Sequence, residues 1–115
     1  MYRGEIRWVD FESAHGAEAN KRRPAIIVSN DAANDATSAL GHGVVTVVPV
    51  TSSVARVHPF QAFLPAVWTG LDRDSKALAE QVRSLSVERI GARIGQLTPD
   101  LGIEVDAALR LHLGL

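Results

Sequence analysis

The sequence predicts a small α+β domain: five or so short strands in a barrel-like arrangement, closed by a C-terminal helix. Three observations predict it. Val44–Thr51 is built almost wholly of Val and Thr, the residues that best fit a pleated surface. Shorter apolar runs at Ile6–Phe11, Ala25–Val28 and Phe60–Leu64 are set apart by turn-forming and charged residues. The last segment changes period: Leu101, Val105, Leu109 and Leu113 recur every fourth residue behind a helix-start signal.

The elements follow in order. In Gly4–Phe11, Ile6 and Trp8 fall on one side of Arg7 and Val9, which predicts a first strand. A loop rich in Ala, Gly, Asn and charge covers residues 12–22. Pro24 opens a second strand, a position where its missing N–H is tolerated, and the unbroken run Ala25-Ile26-Ile27-Val28 predicts cover on both faces. Small polar residues over Ser29–Ser38 predict a loop with at most a short helix, and Gly41-His42-Gly43 a turn. Pro49, near the end of the Val44–Thr51 strand, implies an edge, a bulge or the end of regular pairing. Phe60, Ala62 and Leu64 share one side of a further strand. Residues 75–86 fit either period, since Leu78, Val82 and Leu85 suit a helix while Leu78, Glu80 and Val82 share a strand face. Ser86 is placed to cap a helical turn reaching Ile90. Thr98-Pro99-Asp100 combines a capping hydroxyl, a first-turn proline and an acid at the positive end of the dipole. The helix behind it is apolar on more than one side, which fits either a subunit contact or a deep core position.

Composition narrows the function. At 115 residues, 46% apolar, the chain has the length of one ordinary domain over residues 1–115 and enough apolar surface for a core. With no cysteine, thiolate metal sites, disulfides and cysteine nucleophiles are excluded. The charged N-terminus lacks the apolar stretch of a secretion signal, and no run is long enough for a membrane-spanning helix, so a cytoplasmic protein is expected. Twelve Lys and Arg stand against thirteen Asp and Glu, so a polyanion site must be local. No His, Asp and Glu cluster has metal-ligand spacing, so no metal or other cofactor is expected. Nothing in the spacing of His15, His42, His58 and His112 brings two together as an acid–base pair.

Two segments stand out. Gly16–Ala25 delivers Glu18 and three consecutive cations, Lys21, Arg22 and Arg23, to the mouth of a strand. Thr51-Ser52-Ser53 places three hydroxyls at the exit of the strongest strand. Alone, the first reads as a solvated face and the second as a turn. Together with Gly4-Glu5-Ile6-x-Trp8-Val9-Asp10-Phe11, Gly16-x-Glu18, Arg23–Asn30, Val48–Ser52, Pro59-Phe60 and Ala79-Glu80-Gln81-Val82-Arg83-Ser84, in that order and spacing, they resemble the MazF/PemK (Kid) toxins of bacterial type II toxin–antitoxin systems. The resemblance covers about residues 3–113.

That resemblance implies an SH3-like β-barrel homodimer acting as a metal-independent, sequence-specific endoribonuclease on single-stranded RNA. It implies a strand at residues 76–83. It places the catalytic arginine at Arg23, the catalytic threonine at Thr51 and the loop acid at Glu18, and it implies a MazE-like antitoxin whose acidic disordered tail covers the RNA groove, a partner that Lys21–Arg23 suit. Arg22 departs from the family, which often has a neutral residue there. Phe11, beside the loop, is the aromatic candidate for an RNA contact; Lys21, Arg22, Ser52, Ser53, Glu80 and Gln81 are polar candidates. A CcdB-like gyrase poison resembles the same barrel, but it lacks the Arg/Thr pair and uses a C-terminal tryptophan, whereas the tryptophans here are Trp8 and Trp68. A non-catalytic interaction module is the remaining alternative.

Overall fold

The computed structural model describes residues 1–11 and 22–115. The elements run β1 (Glu5–Asp10), β2 (Arg22–Ile27), α1 (Asp31–Leu40), β3 (Val44–Thr51), β4 (Gln61–Leu64), α2 (Ala66–Thr69), β5 (Ser75–Leu78), β6 (Arg83–Ser86), β7 (Ile90–Gln96) and α3 (Pro99–Leu113). Seven strands form an antiparallel sheet in the order β4-β5-β3-β2-β1-β7, with β6 also paired to β3. Strand β3 is the axis of this arrangement. One edge pairs with β2 over Val47–Pro49; the other pairs with β6 at Val44–Val47 and then with β5 at Val50–Thr51. Pro49 lies where the second edge changes partner, so a residue without an N–H sits where the ladder is already interrupted.

Both faces of the central strands are buried, which is why their apolar runs do not alternate. On one face Ile6, Ile26, Val48 and Val50 pack with Leu64, Leu71 and Val105. On the other, Val9, Ala25, Ile27, Val45 and Val47 pack with Leu85. Helix α3 covers the first cluster from the side of β4. Its N-cap is Thr98, whose side chain accepts from the Leu101 N–H, and it buries Leu101, Val105 and Ala108. The stripe thus divides: its N-terminal half is core, whereas Ile103, Leu111 and Leu113 are exposed.

Four expectations change. Residues 29–38 form most of a ten-residue helix, α1, because Asn30 caps it by accepting from the Ala33 N–H and Gly41 closes it with φ 72°. Its one buried residue, Asn34, is polar: the Asn34 Nδ2 donates to the Ser29 carbonyl (2.9 Å), the Ser29 hydroxyl donates to Asn34 Oδ1 (2.6 Å), and the Thr46 N–H donates to the Ser29 hydroxyl (3.1 Å). This network ties α1 to β3 and leaves no apolar stripe to read. Strand β2 begins at Arg22 rather than Pro24, since Asp10 and Val9 of β1 pair with Arg22 and Arg23. The strand expected at residues 76–83 is two strands separated by a 3-10 turn at Ala79–Gln81, which lets the chain move from one half of the β3 edge to the other. Finally, β7 (Ile-Gly-Ala-Arg-Ile-Gly-Gln) has no counterpart in the sequence reading.

The glycines of β7 explain both its concealment and its use. A Cβ on Gly95 would stand 1.9 Å from the Thr69 carbonyl oxygen, and one on Gly70 (φ 81°) would stand 2.8 Å from the Ile94 carbonyl oxygen. The end of α2 and the segment after it are therefore pressed against β7, backbone on backbone. Glu5 secures the other side of β7. It is 5% exposed, and its Oε1 accepts from the Tyr2 N–H (2.8 Å) and Arg7 Nε (3.1 Å) while Oε2 faces Arg93 Nε (3.1 Å). Burial alone would raise the Glu5 carboxyl, but the Tyr2 N–H and the Arg7 guanidinium outweigh it and hold the group below its ordinary 4.5.

Gly95→Ala should cost at least about 1–3 kcal/mol through forced backbone displacement, whereas Gly102→Ala, with nothing within 4 Å, should stabilise by about 0.5–1 kcal/mol. Urea denaturation of the two variants checks the contrast. A depressed carboxyl contributes stability above its unfolded pKa and loses it as the pH falls through the lower folded value. The melting-temperature gap between the parent and Glu5→Gln should therefore be widest near neutrality and close as the pH falls below 4.5.

Candidate functional site

The β2–β3 pairing brings the two sequence-singled groups together. Its register is Ala25↔Pro49, Ile26↔Val48 and Ile27↔Val47. Carried two residues further, it sets Arg23 across from Thr51 at the end of the two strands. Both residues line one groove of about 530 Å³ at this end of the sheet. Its other walls are Trp8 of β1, Pro24 of β2, Val50 and Ser52, the Gly70–Arg73 segment with Ser75, and Arg93 and Ile94 of β7. The close glycine contacts between α2 and β7 hold that third wall in place.

Charge in the groove is one-sided. Among the described residues lining it, Arg23, Arg73 and Arg93 stand against one carboxylate, Asp72. Arg93 is partly spoken for by Glu5 and by Gln96, whose Oε1 accepts from its Nη2 at 3.1 Å. Arg23 is exposed at the strand end. The Thr51 hydroxyl accepts from the Ser53 N–H (3.2 Å), which uses a lone pair and leaves its hydrogen free to donate. A fork of guanidinium donors beside a hydroxyl donor, in a cationic groove, suits an oxyanion such as a phosphodiester.

The other candidates fall in different places. Ser52 lines the groove; Ser53 serves it only through its backbone. Arg22 does not line it, and its Nη2 lies instead over Gly91 of β7. Phe11 is half-buried against the second cluster, and the Arg83 guanidinium carbon stands 5.5 Å from the centre of its ring. Gln81 is exposed in the 3-10 turn. Glu80, beside it, accepts through Oε2 from Gln61 Nε2 (2.7 Å), while its Oε1 is buried without a hydrogen-bond partner among the described residues. Glu18 and Lys21 lie outside the described residues, as does His15. His58 stacks on Phe60, with ring centres 5.0 Å apart. Among the described residues no group of three or more His, Asp or Glu could hold a metal ion, and no helix is long and apolar enough to cross a membrane.

The sequence reading missed Trp8, Asp72, Arg73 and Arg93 as groove residues. Trp8 shares the strand periodicity of Ile6, which is fully buried, yet it is itself 36% exposed at the open end of the sheet. Arg73 and Arg93 lie far from the Arg23 loop in the chain, and no local pattern singles them out.

Residues 2–113 match the family of PemK-like, MazF-like toxins of type II toxin–antitoxin systems. The chain is 53% identical over 115 residues to the Mycobacterium tuberculosis protein named endoribonuclease MazF9, covering 100% of this chain and 98% of the relative. Among solved structures, the MazE–MazF complex (Form-II) from Deinococcus radiodurans superposes with a TM-score of 0.80 at 32% identity, covering 100% of this chain and 96% of that one. An endoribonuclease in complex with its cognate antitoxin from a mycobacterial species superposes with a TM-score of 0.77 at 27% identity, over 100% of this chain and 96% of the other. With its sheet, its terminal helix and nearly its whole length matched, the chain belongs to the PemK-like, MazF-like toxin family of type II toxin–antitoxin systems.

Proposed function

We propose that this chain is an endoribonuclease toxin that cuts single-stranded RNA at particular sequences by attack of the neighbouring 2′-OH, and that a cognate antitoxin restrains it. The observation that carries the reading is the common groove of Arg23 and Thr51. The endoribonuclease names of its relatives support the activity and do not favour a gyrase poison.

The reaction breaks the bond from phosphorus to the 5′-oxygen and forms one to the 2′-oxygen, leaving a 2′,3′-cyclic phosphate and a free 5′-OH. It needs a proton acceptor at the 2′-OH, a proton donor at the leaving oxygen, and hydrogen-bond donors for the charge that builds on the phosphorane. Arg23 meets the last need with two parallel N–H groups, and Thr51 adds an O–H. Arg23 is also assigned the proton delivered to the leaving oxygen, since the departing alkoxide is a stronger base than guanidine. It is no resting base, because the free side chain is almost never deprotonated. That role is assigned to Glu18 of the adjoining loop. No step requires a metal or other cofactor. Ser52 on the groove wall is assigned to the RNA strand. Lys21, Arg22, Ser53, Glu80, Gln81 and Phe11 are assigned further RNA contacts.

The fold is read as an SH3-like barrel forming one domain over residues 1–115, working as a cytoplasmic homodimer. Ile103, Leu111 and Leu113 of α3, at 66%, 58% and 53% exposure, support the dimer, since a second copy would cover apolar surface that the monomer leaves in water. The antitoxin is assigned an acidic disordered tail; the three arginines of the groove favour such a polyanion as they favour RNA.

Arg23→Ala should slow cleavage of a long RNA by about 10²–10³ or more, the usual cost of losing one donor to a developing oxyanion. Cleavage at the parent rate, or cutting of a substrate with a 2′-deoxy sugar on the 5′ side of the scissile bond, overturns the mechanism. In Glu18→Gln the acidic limb of the pH–rate profile should disappear; an unchanged profile excludes Glu18 as the base.

A further inference from the structure

We propose that the Trp8 indole is a stacking platform for one unpaired base of the RNA, seated in the groove next to the phosphate held by Arg23 and Thr51. This rests on the nuclease reading and names the residue that would sense a base beside the cut.

Three observations carry it. Trp8 lines the groove together with Arg23 and Thr51. It pairs with Pro24 in the β1–β2 ladder, so it sits one residue from Arg23 on the adjacent strand, on a paired strand rather than a loop. It is also 36% exposed although its alternation partner Ile6 is fully buried, so the sheet spends its largest aromatic side chain on solvent at this point. An indole offers one flat face to a base at little entropic cost, and its backbone is held here by the pairing of Trp8 with Pro24, opposite the register shift of the β1–β7 ladder between Arg7 and Val9.

The neighbours suit the same occupant. Pro24, Leu71 and Ile94 give the cavity apolar walls for a base, while Arg73 and Arg93 add guanidinium groups for the flanking phosphates. At about 530 Å³ the groove is within the size range of small-ligand sites. The other aromatic candidates are worse placed. Phe11 already has Arg83 over its ring, and Trp68, although exposed, is absent from the groove wall.

The test uses the full chain carrying Trp68→Phe, so that Trp8 is the sole indole. End-mapping of fragments from a long RNA first locates the cut. An oligonucleotide of that sequence, with a 2′-deoxy sugar on the 5′ side of the cut, then serves as the probe, and its binding is followed independently by anisotropy of a terminal label. Saturating probe should quench Trp8 emission and shield it from acrylamide. In the parent chain, Trp8→Leu should raise KM by about 10–100-fold and relax base preference at one position beside the cut, with Trp8→Phe retaining most of the affinity. The kcat of each should change far less than KM. Bound probe that leaves emission and acrylamide access unchanged overturns the platform while the nuclease reading stands. Where the long RNA yields no cut, a mixed-sequence RNA oligonucleotide replaces the probe: shielding by it overturns the nuclease reading while the platform stands, and no shielding overturns both. Failure of the probe to bind, or shielding by an acidic peptide alone, overturns the platform in favour of a peptide-binding wall.

Discussion

The alignment of β2 against β3 is the constraint on which the site depends. Arg23 and Thr51 belong to strands that end together, and the Ala25↔Pro49 pairing sets them at one level beside one groove. A slip of a single residue would turn every side chain of β2 to the opposite face and separate the two groups. Burial on both faces prevents that slip: Ile26 belongs to one cluster and Ala25 and Ile27 to the other, so a misregistered strand would have to exchange two cores at once. The same packing that stabilises the sheet therefore positions its chemistry.

The remaining walls are held by contacts of a different kind. Gly70 and Gly95 allow backbone to meet backbone where α2 ends on β7, and Glu5 draws Arg7 and Arg93 to a buried carboxylate. The first is steric and insensitive to solution conditions; the second is ionic and weakens when the carboxylate takes up a proton. Arg93 belongs to both the ion pair and the groove, so the charge presented to a ligand is partly set by Glu5.

Much of this was legible in the residues. The unbroken run at Ala25–Ile27, the Val and Thr strand and the capped terminal helix all express burial or backbone preference locally, and each appears where the pattern puts it. The Arg23 and Thr51 pair was legible only through the resemblance, because their proximity is a matter of register between segments far apart in the chain. What escaped had specific physical causes. Helix α1 buries an asparagine through hydrogen bonds instead of an apolar stripe. Strand β7 uses glycine for close approach at positions where a strand former would clash. Trp8 shares the periodicity of a core residue but sits where the sheet opens.

One feature of the topology bears on when activity can arise during synthesis. The first strand is bracketed by the second and the last, and the groove takes Arg93 and Ile94 from that last strand. Pairings of such long range form late, after the chain has paid the entropy of closing its largest loop. A nascent polypeptide that has not yet released residue 96 from the ribosome holds Arg23 and Thr51 but not the cleft around them. A translating ribosome thus passes the codons of β7 before its product can cut any transcript, its own included.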